Sequence, residues 1–332
     1  MQPTPEQAGA LAGGRPRSWA RRAFPALAQG NAADRVYALA LAAFGLAIPV
    51  LFGFILVRVG SEAWPAFERF GAGFVTGTEW NPVSGEYGAL PFIFGTLASS
   101  LLALLIAVPL AVGLAIFLTE LAPGWVRGPV AFGTELLAAI PSVVYGLWGI
   151  FVLVPWLRET IQQPVSRALG DSIPLFAGPA YGSSIMAGGA ILAIMIVPFI
   201  SAVSREVLAA VPRDQREAAL ALGATRWEMT WQVVIPYAVP GIIGATILGL
   251  GRALGETMAI TMVIGNRPDI PTSLFAPGYT MASVLANEFS EASDGLHLAA
   301  LMEIGLILFA ITILVNTVAR LLVWRVGRRA GR

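Results

Sequence analysis

The stretch of sequence that decides the fold is residues 90–118, which read LPFIFGTLASSLLALLIAVPLAVGLAIFL. It holds no charged residue, and about 20 apolar residues are enough for a helix to cross the hydrocarbon core of a bilayer. Backbone N–H and C=O groups find no water there, so they must be satisfied within the segment, as they are in a helix. Residues 90–118 therefore predict a membrane-spanning helix.

Five further apolar stretches of similar length occur along the chain. With the first, they predict six spans at residues 36–57, 90–118, 130–157, 185–203, 237–265 and 299–324. Several spans contain proline, which membrane helices tolerate where neighbouring helices satisfy the freed backbone groups. We therefore predict an all-α membrane protein whose six helices form one bundle over residues 36–326.

The overall composition agrees with a membrane protein. The 332 residues are 56% hydrophobic and only 12% charged, whereas soluble domains carry about 25% charged residues. Too few charges are present to cover a water-exposed surface. A net charge of +1 gives no indication of nucleic-acid binding, and the absence of cysteine excludes a thiolate metal site or a cysteine nucleophile.

The basic residues, which number 21, are all arginine. A P-loop, G-x-x-x-x-G-K-[ST], needs a lysine that reaches the nucleotide phosphates, so any ATP must be bound by another chain. The sequence also offers no Ser/His/Asp set and no metal-ligand cluster. We therefore expect a protein that is not an enzyme and that binds no metal or cofactor itself. The single histidine, His297, lies in a polar segment and is expected to be solvated.

The distribution of arginine predicts the orientation. Fifteen arginines lie in the segment before the first span, in the 119–129 and 204–236 loops and at the C-terminal end, against five in the other three loops. Because Arg-rich loops remain in the cytoplasm, both termini are predicted to be cytoplasmic. Residues 1–35, rich in Pro, Gly, Ala and Arg, are predicted to form a disordered cytoplasmic tail.

The 204–236 loop carries the signals of helix starts and stops. Pro212 suits the first turn of a helix, where its missing N–H is not needed, and Gly223 is placed to end that helix. The sequence from Thr225 to Glu228 has the S/T-x-x-E form of a capping box. The loop is therefore predicted to form two short helices with an elbow at Gly223.

Two ionisable residues, Arg252 and Glu256, lie within the predicted fifth span. A charge at the centre of a spanning helix costs about 2.5–3.5 kcal/mol on insertion scales, so it is a functional hypothesis by default. Four residues apart on a helix, the two share a face and can pair, with Ala245 and Gly249 on the same stripe. Two interpretations remain open. Either the pair holds the bundle together, or Arg252 binds a passing oxyanion through its planar donors while Glu256 restrains it.

Two other carboxylates lie near predicted span ends. Glu135 is placed near the cytoplasmic start of the third span, where it either approaches the fifth span as a pathway residue or is solvated. Glu303 is placed near the outer start of the sixth span and is expected to be interfacial.

Several segments resemble a known family. Glu217-Ala218-Ala219, followed by Gly223 and ending in Ile235-Pro236, is similar to the EAA loop of ABC importer permeases, although Val233 and Ile235 stand where the family usually has Ile and Leu. The sequence Gly-Arg-Ala-Leu-Gly-Glu-Thr at 251–257 resembles the permeases of phosphate-specific importers. Segments at 87–90, 273–278 and 285–289 resemble the C-type permease of such importers more than its sister subunit.

The resemblance implies a type I ABC importer permease that carries inorganic phosphate through the bacterial inner membrane. It implies that Glu217, Ala218, Ala219 and Gly223 dock on an ATPase, and that Arg252 and Glu256 lie near the translocation path. The implied partners are a second permease of the PstA type, an ATPase dimer that uses ATP, a periplasmic phosphate-binding protein and membrane lipid. Three alternatives remain: a permease for sulfate or molybdate, a carrier that works without ATP, and a membrane protein with a mainly regulatory role.

Overall fold

The computed structural model describes residues 32–292 and 294–330, so the predicted tail lies outside the described residues except at its last positions. The described elements are α1 (Ala32–Phe70), α2 (Gly73–Thr76), β1 (Trp80–Asn81), β2 (Glu86–Tyr87), α3 (Leu90–Ile116), α4 (Gly124–Ala139), α5 (Ser142–Trp148), α6 (Val154–Leu157), α7 (Gln163–Leu169), α8 (Ile185–Ala209), α9 (Arg213–Ala221), α10 (Arg226–Met229), α11 (Ile235–Leu254), α12 (Met258–Val263), α13 (Met281–Glu288) and α14 (Gly295–Ala330). Short π-helical turns occupy Phe117–Leu121, Gly149–Leu153, Arg158–Gln162 and Thr230–Val234, and Pro174–Phe176 forms a 3-10 turn.

Within the described residues, six segments are helical, long and apolar enough to cross a membrane, which confirms the predicted number. They are Val36–Phe70, Leu90–Leu121, Ser142–Leu169, Ile185–Ala209, Arg226–Leu254 and Gly295–Leu321.

The chain divides into two compact units, one ending at Arg58 and the other beginning at Val59. The described part of the first unit is helix, with exposed apolar side chains that include Phe44, Ile48 and Phe54. A helix that is apolar on all sides suits lipid surroundings.

Helix α8 lies at the centre of the second unit, where it packs against α3 and α11. In its most apolar stretch, 67% of the residues are buried inside the protein. Glycine permits this close packing, because a Cβ on Gly189 would lie 2.7 Å from a Leu102 methyl carbon and one on Gly249 would lie 2.6 Å from Ile200. The predicted stripe of small residues at Ala245 and Gly249 is therefore buried against a neighbouring helix of the same chain.

The third span differs from the predicted range of 130–157. Helix α4 ends before Pro141, and the spanning segment begins at Ser142 and continues to Leu169. Ile140 has an extended conformation, with φ −67° and ψ 130°, because a residue before proline is disfavoured in the helical region. The predicted span was therefore wrong at both ends: Pro141 separates α4 from the spanning segment, and that segment continues beyond residue 157 to Leu169.

The fifth span also differs from the predicted range of 237–265. It begins at Arg226 and ends at Leu254, and Gly255 leaves the regular helix at φ −94°, ψ 0°. Glycine weakens a helix because it loses more conformational freedom on folding than any other residue. The segment after Leu254 forms the separate short helix α12, so the prediction that one helix continues to residue 265 was wrong.

The end of the bundle that carries the β1–β2 hairpin is called the hairpin end. There Trp80 lies opposite Tyr87 in the antiparallel pair, and its ring packs edge-on against Phe92, 4.8 Å between centroids. The N–H of Met281 donates to the Thr96 hydroxyl at 2.9 Å, which joins the first turn of α13 to the second turn of α3. The 204–236 loop lies at the other end of α3, because Arg216 contacts the turn that follows that helix.

Candidate functional site

Arg252 lies in the last turn of α11 and is exposed on the surface of the isolated chain. Its guanidinium carbon lies 5.6 Å from the centroid of the Phe199 ring, which belongs to α8. Among the described residues, the guanidinium has no hydrogen bond or ion pair. This contact uses none of the five N–H donors of the guanidinium for a hydrogen bond, so they are free for another ligand.

Glu256 does not share a helix face with Arg252. It lies two residues beyond the end of α11, and its Oε1 accepts a hydrogen bond from the N–H of Ala259 at 3.3 Å. No ion pair joins Glu256 to Arg252 in the described part of the chain. The predicted i, i+4 pairing was wrong because the helix that it required ends at Leu254.

Glu135 lies in α4 and contacts α8 instead of the fifth span. Its Oε1 accepts from Arg205 Nη2 at 2.8 Å, with the two side chains 58% and 25% exposed. The prediction that Glu135 lies at the start of the third span was wrong, because α4 and that span are separate helices. An ion pair this exposed contributes about 0–1 kcal/mol, and it connects two helices at the end that carries the 204–236 loop.

The 204–236 loop has the predicted turn chemistry. Gly223 has φ +90°, a left-handed conformation that glycine adopts without steric cost. The Thr225 hydroxyl accepts from the N–H of Glu228, whose carboxylate accepts from the N–H of Thr225, so the capping box is confirmed. Pro212 is the N-cap of α9 and not a first-turn residue. The second predicted short helix is the beginning of the fifth span.

Helix α9 presents the family's motif to solvent. None of its residues is buried, and Glu217 and Ala218 are exposed while Ala219 is half-buried. Leu222, next to the elbow, is 90% exposed. Trp227, which follows the elbow, is also exposed.

The hairpin end holds a second polar group of residues that was not predicted. A cavity of about 480 Å³ lies at this end. Nine residues line it, and they include Glu288, Glu291, Asp294 and His297. Glu288 accepts from Trp80 Nε1 at 2.9 Å and lies 3.1 Å from His297 Nε2. His297 is therefore buried, and the expectation that it is solvated was wrong.

Burial also affects two tyrosines near this cavity. It raises the pKa of the Tyr279 hydroxyl and that of the Tyr87 hydroxyl above their usual value, because an ionised phenolate is poorly solvated there. Both therefore stay neutral at physiological pH.

Glu303 lies inside the bundle, not at an interface. It is 6% exposed, and its Oε2 is buried without a hydrogen-bond partner among the described residues. The expected interfacial position was wrong because α14 turns this residue towards the protein core, where Ala300 and Ile304 are also buried.

The sequence interpretation missed Phe199, Arg216 and Glu120. Phe199 is one of many apolar residues in its span, and no sequence signal distinguishes it. Arg216 directly precedes the EAA motif, but its partner, Glu120, lies 96 residues away. Only the packing of the helices brings these side chains together.

Comparison with known proteins identifies relatives of this chain. The family described as binding-protein-dependent transport system inner membrane component matches residues 107–332. The phosphate transport system permease protein PstC of Pasteurella multocida is 49% identical over 293 residues, which cover 87% of this chain and 91% of that protein. PstC of Mesorhizobium japonicum is 46% identical over 302 residues, covering 90% and 92%.

The fold resembles that of a solved importer. The crystal structure of a bacterial alginate ABC transporter in complex with an alginate pentasaccharide-bound periplasmic protein aligns with a TM-score of 0.56, 18% identity and coverage of 86% of this chain and 94% of that one. With six spanning helices, the chain is a multi-pass protein of the bacterial inner membrane. It belongs to the family of binding-protein-dependent transport system inner membrane components, and within it to the phosphate transport system permeases of the PstC type.

Proposed function

We propose that the chain is a permease subunit of an ATP-driven importer and forms, with a second permease, the path of inorganic phosphate into the cytoplasm. Relatives named as phosphate transport permeases are 46–49% identical over about nine tenths of their length. The alginate transporter supports the importer fold but not the substrate, because its identity of 18% is too low.

The observation that carries the proposal is the state of Arg252. Its guanidinium lies over the Phe199 ring and has no acceptor among the described residues, although a charge within a membrane helix is costly. Planar donors that match two oxygens at once suit a phosphate. A single arginine also binds weakly enough for release, which conduction requires.

In this proposal, ATP is bound by partner chains. The sequence contains no lysine and hence no P-loop, while Glu217, Ala218, Ala219 and Gly223 lie on or beside the exposed helix α9. We propose that this surface docks on an ATPase dimer, that a permease of the PstA type completes the path, and that a periplasmic phosphate-binding protein delivers the substrate. We propose, from the distribution of arginine, that both termini and the 204–236 loop lie on the cytoplasmic side.

The other two predicted pathway residues, Glu256 and Glu135, do not contact Arg252 in the part of the chain that the structure describes. Glu256 lies between Leu254, the last residue of α11, and Met258, the first residue of α12. We therefore propose that Glu256 lies near the path and does not bond to Arg252. Glu135 pairs with Arg205, and we place it at the cytoplasmic mouth of the path.

ATP-dependent uptake of radiolabelled phosphate into proteoliposomes tests the proposal. The vesicles contain this chain with its candidate sister permease, ATPase and binding protein. We expect uptake that requires ATP and all four components and that resists excess sulfate and molybdate. Competition by either anion would move the substrate to that oxyanion, and uptake without ATP would establish a carrier. A purely regulatory protein would give no uptake under any of these conditions.

Replacing Phe199 with leucine should lower the initial rate of uptake. A cation–π contact is worth about 0.5–2 kcal/mol depending on solvation, which corresponds to about a 2- to 30-fold change. Phe199→Tyr keeps the ring and should retain most of the rate. Phe132→Leu, at another exposed phenylalanine of the chain, is the matched control. Equal rates for Phe199→Leu and Phe132→Leu would show that the contact of Arg252 with the ring does not matter.

A further inference from the structure

One guanidinium, that of Arg216, joins three elements at the base of the 204–236 loop. Its Nη2 donates to Glu120 Oε1 at 2.9 Å and to the Leu208 carbonyl at 2.7 Å, and its Nη1 donates to the Val211 carbonyl at 2.9 Å. Arg216 belongs to α9, Leu208 lies in the last turn of α8, and Glu120 lies in the π-helical turn that follows α3.

This contact is more shielded from solvent than most of α9. The side chains of Arg216 and Glu120 are 18% and 9% exposed, whereas those of the ion pair of Arg205 and Glu135 at the same end are 25% and 58% exposed. Charge-assisted hydrogen bonds are stronger than neutral ones, and shielding from water reduces their screening by salt. Arg216 and Glu120 therefore hold the base of the loop in a defined position.

An apolar cluster beside the pair makes the same connection. It contains Ala115 of α3, Leu208 of α8, Val211 of the loop and Met229 with Val234 at the start of the fifth span, and Ala219 of the EAA motif packs against it. Close-packed side chains transmit displacement because they leave little free volume. Helix α9 therefore has one face open to a partner and an opposite face fastened to the spanning helices.

We infer that Arg216 and Glu120 are positioning residues that carry the movement of α9 into α3 and α8 when the docked ATPase closes. The inference rests on the proposed function, since it assumes an ATPase on the exposed face of α9. It assigns docking and transmission to different residues of one short helix. Loss of the link should leave ATP hydrolysis running while phosphate transport falls, because the ATPase still binds but its closure no longer moves the path.

The test compares Glu120→Ala with the wild-type chain in the complete reconstituted importer. Glu120→Ala removes the link to α3 and leaves Arg216 bonded to the two carbonyls at the end of α8. We expect unchanged recovery of the ATPase on pull-down and ATP hydrolysis within about twofold of wild type. Phosphate imported per ATP should fall by about 2- to 30-fold, the range of couplings that mutations in such networks produce. Combining Glu120→Ala with Arg216→Ala should add little to the larger single effect, because both act through one interaction.

Two variants make the result specific. Glu206→Ala removes an exposed carboxylate of α8 and should leave the import ratio, the phosphate imported per ATP, unchanged. Glu120→Gln keeps an oxygen acceptor without the charge and should lower the import ratio less than Glu120→Ala does. If Glu120→Ala fails to assemble, the import ratio of Glu120→Gln tests the inference instead. An assembled Glu120 variant with the wild-type ratio overturns the inference, as does a lower ratio that is fully explained by lost ATPase recovery. If the wild-type importer itself moves no phosphate with ATP, the proposed function fails, and the inference fails with it.

Discussion

Replacing Arg252 with alanine should lower ATP-dependent phosphate uptake about a hundredfold or more while the importer still assembles. Hydrogen bonds to charged groups are worth about 1.5–3 kcal/mol each, so the loss of two donors to a phosphate corresponds to at least that factor. The fold should tolerate the change, because the guanidinium is exposed and bonds no other described side chain, so its removal leaves no buried group unsatisfied.

Two further variants separate charge from geometry at this position. Arg252→Lys keeps the positive charge but loses the planar fork, so we expect uptake between that of the alanine variant and wild type. Arg320→Ala removes an exposed arginine from the sixth spanning segment and should have little effect. The measurement is the initial rate of radiolabelled phosphate uptake, normalised to the amount of assembled importer. Normal uptake by Arg252→Ala would remove this residue from the path.

Replacing Glu217 with alanine should reduce the recovery of the ATPase with the permease about tenfold or more. Glu217 is exposed on α9, whose residues are all outside the protein core, so the chain itself makes little use of its charge. Residues at the centre of a protein interface often carry about 2 kcal/mol or more of the binding free energy. Uptake should fall in parallel, because fewer importers would hold their ATPase.

Asp214→Ala is the matched control for this prediction. Asp214 is an exposed acidic residue in the first turn of the same helix, and its removal costs α9 only the favourable interaction with the helix dipole, about 0.3–1 kcal/mol. ATPase recovery should remain close to wild type. Recovery of the ATPase by Glu217→Ala at the wild-type level would refute the docking role, whereas equal losses for both variants would indicate that α9 itself had unfolded.

Docking and transmission give different experimental results. A docking residue such as Glu217 affects the amount of bound ATPase, whereas Glu120 is expected to affect the phosphate imported per ATP with the ATPase still bound. The structure separates the two residues clearly, because Glu217 is exposed and Glu120 is shielded at the base of the loop. Arg252 differs from both, because its loss should leave assembly intact and stop the passage of the substrate.

Local signals in the sequence predicted the features that depend on neighbouring residues alone. The number of spans follows from apolar stretches such as 90–118, because a bilayer sets both their length and their lack of charge. The capping box at Thr225 and the turn at Gly223 join groups three residues apart or depend on one backbone conformation. The resemblance of the EAA loop and of residues 251–257 then indicated the family.

The boundaries of the third and fifth spans were less predictable from hydropathy. An apolar average does not distinguish one helix from two, so the break before Pro141 and the end at Leu254 were missed. This error changed the interpretation of the site, because pairing between Arg252 and Glu256 required a continuous helix. Both residues remain near the same end of α11, but they have different partners.

The sequence by itself determined the class of the protein, its family, the turn chemistry of the 204–236 loop and the presence of a charge in the fifth span. Only the tertiary structure decided the partners of the charged residues: Phe199 for Arg252, Arg205 for Glu135 and Glu120 for Arg216. The last two pairs are 70 and 96 residues apart in the chain. Burial of apolar surface has no preferred direction, so hydropathy places a helix in the membrane without fixing which neighbour each face meets. That choice depends on how glycines such as Gly249 let α8 and α11 approach, and it is made only when all the helices pack together.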